Sequence, residues 1–386
     1  MKQLLSLFLL LFTGLLSAQI QITHGPYLCD MTATGVSIVW MTDKPAVSWV
    51  ELAPDGSDHF YAQERPKFFD TSHGRKRAND TIHHVRLENL ESGKTYRYRI
   101  VSQEVTDWKT YDYVLYGRMA STAVYGREPL KFTTFDNNRK EINFLILNDI
   151  HGRASFMKEL CQNIDFKALD FVVLNGDMSD QVESQEQLCR GYIDTLVSMF
   201  ASEVPLVYAR GNHETRGVYS DMVMRYFPTV SGQFYYQFNI GKTAFLVLDG
   251  GEDKPDSDIE YCGIADYDRY REQEAEWLKK TIQSPDYKDA EAHIVFLHIP
   301  PTVGNWHANV HLQETLLPVL NAANVDIMFS GHTHRYSYNE PNERAKFPIL
   351  VNSNTAYVLC KLKDNRLSME VKGIDPKNDR KQEIGL

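Results

Sequence analysis

The chain has 386 residues, 43% of them hydrophobic and 24% charged, with a formal net charge of −10. That balance fits a folded globular protein and argues against non-specific binding to nucleic acid, so any affinity for an anion must be created locally. Its five cysteines, Cys29, Cys161, Cys189, Cys262 and Cys360, are widely spaced with no Cys-x-x-Cys pair, which excludes a cysteine-based metal site.

Met1-Lys2 is a short charged start, and Leu4 to Leu16 is an apolar run shorter than the ~18 residues needed to cross a bilayer. Residues 1–18 are therefore expected to be a signal peptide cut after Ala18, giving an exported product, periplasmic or secreted. Leu16 is larger than the small residue preferred two positions before such a cut, and an uncleaved anchor is the alternative. No later segment reads as a transmembrane span. In an oxidising compartment one or two disulfides are expected, the odd count leaving at least one cysteine outside any pair; Cys161 and Cys189, in helix-like stretches, read as buried thiols.

From residue 19 to 136 short β-rich runs alternate with turns. Gly35 to Trp40, Ser48 to Leu52, His83 to Leu87 and Thr95 to Val101 are the clearest strands, with turns at Ala53-Pro54-Asp55-Gly56 and Glu91-Ser92-Gly93-Lys94. This predicts an all-β sandwich. His83 and His84 are neighbours on a strand, so they should face opposite ways and not share an ion. The turn-prone Asp136-Asn137-Asn138-Arg139-Lys140 marks a boundary, with a second domain over residues 137–386.

In that second part, apolar runs alternate with helical patterns over Ser155 to Ile164, Gln181 to Phe200, Tyr267 to Thr281 and Leu312 to Ala323. Gln273, Trp277 and Leu278 share a helix and are expected to pack. Phe234 to Tyr236 with Thr243 to Leu248, and Phe347 to Val351 with Tyr357 to Leu362, read as hairpins. The whole predicts two mixed sheets flanked by helices, an α/β sandwich, preceded by the all-β domain.

Five of the apolar runs lead directly into chemistry-bearing residues: Asp149-Ile150-His151, Gly176-Asp177, Gly211-Asn212-His213-Glu214, His298 and Gly331-His332-Thr333-His334. Carboxylate and amide oxygens with imidazole nitrogens suit divalent transition ions, and no single segment supplies enough of them alone. With 22 Gly and 13 His in the chain, chance predicts only about 0.025 Gly-His-x-His segments, so the set is read as one converging site. His298 alone would pass for a core histidine; in company it reads as a ligand.

This ordered series resembles the calcineurin-like metallophosphoesterase superfamily, over about Glu141 to Thr355. The resemblance implies one ion held by Asp149, His151, Asp177 and His334, and a second held by Asp177, Asn212, His298 and His332. Asp177 would bridge, and the ions would be divalent Mn, Zn or Fe. His213 would serve as general acid toward the leaving group, with Asp177 also part of the catalytic centre. Glu214 would orient His213 or cap the next helix. Gly25-Pro26-Tyr27-Leu28, Val39-Trp40 and Leu87-Glu88-Asn89-Leu90 resemble the fibronectin-III-like domain that precedes the catalytic domain in purple acid phosphatase-like proteins.

Two ions, two aspartates and a bridging hydroxide leave a net positive charge that a phosphate ester would neutralise. The implied activity is hydrolysis of phosphate monoesters by direct attack of that hydroxide on a small phosphoester substrate. Purple acid phosphatases carry a tyrosine three residues after the Gly-Asp aspartate and a glycine in the first motif; here those positions hold Asp180 and His151, so a pale protein is expected. Arg210, Trp306 and His307 are candidates for the substrate cleft. A phosphodiesterase or nucleotide hydrolase would use the same centre, and a catalytically silent surface-binding module is the reading from another class.

Overall fold

The computed structural model describes residues 19–110 and 113–386; the expected signal segment, residues 1–18, lies outside them. Two six-stranded layers face each other. The first runs Arg380–Gly385, Arg366–Gly373, Ala356–Lys363, Glu141–Leu147, Phe171–Asn175, Leu206–Ala209. The second runs Tyr236–Ile240, Thr243–Leu248, Ala292–Leu297, Ile327–Ser330, Ile349–Val351, Ser337–Asn339. Both mix parallel and antiparallel pairs, and their central strands are buried on both faces, which is why they read as unbroken apolar runs rather than alternating ones.

Phenylalanines fill the space between the layers. Phe144 stacks on Phe171 at 5.0 Å and meets Phe245, Phe296 and Phe329 edge-on at 5.9, 6.0 and 6.2 Å. Such offset and edge contacts make a dense seam that fixes the separation of the sheets. Helical segments cover the outer faces, as expected for this class, with Tyr192, Leu196 and Phe200 against the first sheet and Leu278, Leu312 and Leu320 against the second.

The amino-terminal region is all β. Its long strand Val36–Pro54 pairs through its first half with Ile22–Cys29 and Asp80–Leu87, and through its second half with Thr95–Thr110, so one strand serves both layers of the sandwich. Fully buried Trp40 sits in its core and donates from Nε1 to Ser102 Oγ at 2.9 Å. The first sheet does not stop at this region's edge: Cys29 pairs in parallel with Leu206, joining Ile22–Cys29 to Leu206–Ala209. Tyr27 donates to the carbonyl of Tyr226 at 2.8 Å, Tyr98 to that of Ser202 at 2.6 Å, and Ser202 Oγ to that of Pro26 at 2.7 Å.

Several local expectations change. Ile349–Val351 and Ala356–Lys363 do not form a hairpin: the first belongs to the second sheet and the other to the first, so the short Asn352 to Thr355 link crosses between layers. The helical stretch expected from Gln181 starts at Gln185, after Ser184 caps it by accepting from Gln187 N. It then widens into π-turns at Cys189–Ile193 and Val197–Ala201. Leu312 to Ala323 is replaced by His307–Thr315 and Leu317–Leu320, broken ahead of Pro318, which cannot continue the preceding hydrogen-bond ladder. Gln273 is exposed and does not pack; Trp277 and Leu278 do. All five cysteines are unpaired, with Cys262 exposed and the other four buried.

Candidate metal centre

Glu141–Leu147, Phe171–Asn175 and Leu206–Ala209 are adjacent parallel strands of the first sheet, and Ala292–Leu297 and Ile327–Ser330 are adjacent parallel strands of the second. Their carboxyl ends therefore open on the same edge, where the five motif segments begin. The turns are tight. Asp149, His151, Asp177, His332 and His334 adopt left-handed backbone with φ of 52, 51, 54, 67 and 59°. Each non-glycine residue so placed costs of order 1 kcal/mol or more, and the surrounding hydrogen bonds hold it there. Asp149 N donates to Gly176 O at 2.9 Å, His151 N to Asp177 O at 2.9 Å and Gly152 N to Met178 O at 2.7 Å, so the first two loops are laced together. Gly211 and Gly331 have no room for a β-carbon, because the Asp177 and Asp149 carboxylates occupy that space.

The predicted ligands form two groups, and His151 also joins Asp180 and His213 in a third. Ligand atoms of Asp149, His151 and His334 lie within 4.8 Å of one another, as do those of Asp177, His298 and His332. In the first, His151 Nε2 and His334 Nε2 are 3.0 Å apart and His334 Nε2 is 3.3 Å from Asp149 Oδ1. In the second, His298 Nε2 is 3.0 Å from Asp177 Oδ2, and His332 Nδ1 is 3.0 Å from Asn212 Oδ1.

The hydrogen bonds divide each group into held atoms and spare ones. Asp149 Oδ2 accepts from His332 N at 3.0 Å and Asn148 Nδ2 at 2.5 Å, while its buried Oδ1 has no hydrogen-bond partner. His298 Nδ1 lies 2.8 Å from the Asn175 carbonyl, which can only accept, so Nδ1 carries a hydrogen and Nε2 is the ring atom turned to the Asp177 carboxylate, 3.0 Å away. Burial opposes a charge on His298, yet the carboxylates of Asp177 and Asp149 override it and raise its pKa to about 10. Two buried carboxylates thus make this a spot that favours positive charge. The donor set of carboxylate, amide and imidazole fits divalent ions. For His332 the same burial, added to the charge of His298, pushes the pKa down to about 4, the neutral form a ligand needs.

His213 is set beside these groups. Its backbone N donates to Asp177 Oδ1 at 2.9 Å, and its Nδ1 lies 2.6 Å from the Asp180 carbonyl, which fixes the ring and turns Nε2 toward Arg216 and the Asp177 carboxylate. Glu214 does not reach the His213 ring. Wholly buried, it accepts from the backbone N of Asp177 and Gly211 at 2.9 Å each and of Ser179 at 3.0 Å, tying two motif loops together. Burial and the Asp177 charge raise its pKa to about 7. Asp180, largely exposed, places its carboxylate 2.8 Å from His151 Nδ1, an approach of charge without hydrogen-bond geometry.

A cleft of about 370 Å³ opens over Asp177, Asn212, His213, His332 and His334, walled by Asp253, Val303, Gly304 and Trp306. Trp306 is 50% exposed there. Arg210 is not in this wall; it is locked to Asp249 at 2.7 Å and lies across Phe234. His307 is likewise engaged, 2.7 Å from Asp268. Two residues had no sequence signal beyond proximity to a motif. Arg216 sits 3.4 Å from His213 Nε2 and pairs with Glu252 at 2.6 Å, and Asp253 accepts from Arg216 at 3.2 Å. Only folding brings the 252–253 loop to the 213–216 turn.

A family model described as calcineurin-like phosphoesterase matches residues 142–336, and one described as purple acid phosphatase, N-terminal domain, matches residues 27–112. Purple acid phosphatase 18 of Arabidopsis thaliana is 27% identical over 50% of this chain and 44% of its own length. Serine/threonine-protein phosphatase CPPED1 of Mus musculus is 25% identical over 43% of this chain and 53% of its own. The chain spans about half the length of the curated relatives it matches. Purple acid phosphatase PPD1 from yellow lupin (Lupinus luteus) seeds superposes over 93% of this chain and 74% of its own with a TM-score of 0.64 at 15% identity, a likeness of fold.

Proposed function

The chain belongs to the calcineurin-like phosphoesterase family, and from that premise we propose that it is an exported, dinuclear metal-dependent hydrolase of phosphate monoesters. The observation that carries this reading is the pair of ligand groups formed by the predicted ligands, in which the buried Asp149 Oδ1 has no hydrogen-bond partner and the buried His298 Nε2 faces the Asp177 carboxylate. Asp149, His151, Asp177 and His334 would hold one ion, and Asp177, Asn212, His298 and His332 the other. When bound, the ions supply Lewis acidity to the phosphoryl oxygens and bring the pKa of a water close to neutral.

The rest of the work falls to the chain. Glu214 fixes the backbone of Asp177 and Gly211, so the shared carboxylate and the Asn212 amide would meet the ions without rearrangement. Asp180 brings a negative charge to within 2.8 Å of His151 Nδ1. His213 donates Nδ1–H to the Asp180 carbonyl, which leaves Nε2 as the ring atom that, once it has taken up a proton, would pass it to the departing oxygen. Export follows from the Leu4 to Leu16 run, which has the length of a signal-peptide core. No helix among the described residues is long and apolar enough to cross a membrane.

The test is hydrolysis of monoesters and diesters by protein loaded with manganese, zinc or iron. Monoester cleavage is expected to dominate and to fall about 10²–10⁴-fold in kcat for His213→Ala, with metal content retained. Iron-loaded protein should be pale, since Asp180 offers no phenolate for charge transfer. A purple preparation would overturn the assignment of the ions, dominant diester cleavage would select the phosphodiesterase alternative, and no cleavage with any metal would leave a surface-binding module.

A further inference from the structure

The segment after His298 is unusually well held for a loop. The fully buried amide of Asn309 donates to the carbonyls of Pro300 at 2.7 Å and Val303 at 3.3 Å, while its Oδ1 accepts from Trp306 N at 3.0 Å. Gly304, at φ 115°, packs so closely on that amide that a β-carbon would collide with it. Ala308 N donates to the Asp253 carbonyl at 3.1 Å, fixing the start of the following helix to the opposite wall of the cleft. All this order positions the backbone of Trp306, whose ring is nonetheless half in water.

An indole that exposed forgoes the burial that ordinarily places tryptophan in a core. Lys254 Nζ lies 5.9 Å from the ring centre and is held by Glu260 at 2.7 Å. His307, the next ring along, is committed to Asp268. Among the described residues lining the cleft, Trp306 is the only aromatic side chain apart from the histidines, and Val303 and Gly304 continue its apolar wall. The cleft volume, about 370 Å³, is that of a small-ligand site.

We propose that Trp306 is a stacking platform for the leaving group, making the protein selective for phosphoesters whose alcohol carries a flat aromatic ring, as a nucleoside does. This specificity rests on the hydrolase reading above. Adenosine 5′-monophosphate and glycerol 3-phosphate both release a primary alcohol, so they differ at the platform and little in the chemistry. In metal-loaded full-length protein, Trp306→Ala should lower the ratio of their kcat/KM values about 5- to 150-fold, the range of a lost base–aromatic stack. Trp306→Phe should restore most of the ratio. Adenosine should quench tryptophan emission in the wild type and fail to do so in Trp306→Phe.

An equal fall on both esters that phenylalanine does not rescue would show a packing role and overturn the proposal. An unchanged ratio in a protein that hydrolyses both would overturn it alone, leaving the hydrolase intact. Hydrolysis of neither ester with any metal would bring down the hydrolase reading and this proposal with it.

Discussion

Two pairs of histidines lie close together in this chain and meet opposite fates. His83 and His84 are adjacent on a strand, so their rings leave it on opposite faces: one reaches Thr42 Oγ1 at 2.8 Å beside Trp40, the other Ser37 Oγ at 3.0 Å. Burial pushes both down to about 4, so they stay neutral and structural. His332 and His334 are separated by one residue on a left-handed turn, and feed two neighbouring ligand groups, with Asp177 and His298 on one side and Asp149 and His151 on the other. The ring is the same in each case. Backbone direction decides whether it meets a hydroxyl or a carboxylate, and so whether it supports the core or awaits an ion.

The largest contrast should come from removing one ring of each pair. His332→Ala is expected to cost more than about 100-fold in activity, beyond the 10–100-fold typical of a group that only supports a ligand, with ion stoichiometry by elemental analysis falling in step. Next comes Glu214→Gln, which turns an acceptor of backbone N–H groups into a donor facing one. It should cost about 10–100-fold in metal affinity or turnover while the fold persists, read by metal titration and circular dichroism. Were it silent, the loops would be held without the carboxylate.

The smallest effect is the one on the other pair. His83→Ala should lower unfolding free energy by about 2–3 kcal/mol and leave activity per folded molecule intact, measured by denaturant titration. The pH dependence has a definite sign. His83 has a folded pKa near 4 against 6.5 for an ordinary histidine, so its contribution is present above pH 6.5 and is lost as pH falls toward 4. Between pH 6.5 and 5 the wild type should lose on the order of 2 kcal/mol from this group, and the alanine variant correspondingly less. Equal losses in both would place the acid sensitivity elsewhere.

What could be read from sequence follows from the range of the interactions. The Gly-His-Thr-His and Asp-Ile-His segments were legible because ligand, glycine and strand end lie within a few residues of each other. The partner of Glu214 was not: adjacency suggests His213, whereas the carboxylate turns the other way to backbone groups of residues 177, 179 and 211. Arg210 and His307 look available beside their motifs, yet Asp249 and Asp268, 39 residues distant in each case, already hold them. The crossing at Asn352 to Thr355 was misread as a hairpin because two apolar runs with a short link look the same whether they pair or part. Tyr267–Thr281 was clear throughout, since one helix face repeats over four turns.

The parallel contact of Cys29 with Leu206 has a consequence for how the chain is made. Ile22–Cys29 emerges early in synthesis, and its neighbour on that side arrives nearly half a chain later. Contacts so far apart in sequence are slow to close. Until Leu206–Ala209 appears, the early strand presents open hydrogen-bonding groups on that side, which makes it a template for the wrong partner as well as the right one. A shortened chain beginning at residue 137 would meet the converse difficulty, with Leu206–Ala209 as a bare border. The four-residue length of that strand limits how much of a border there is to misuse.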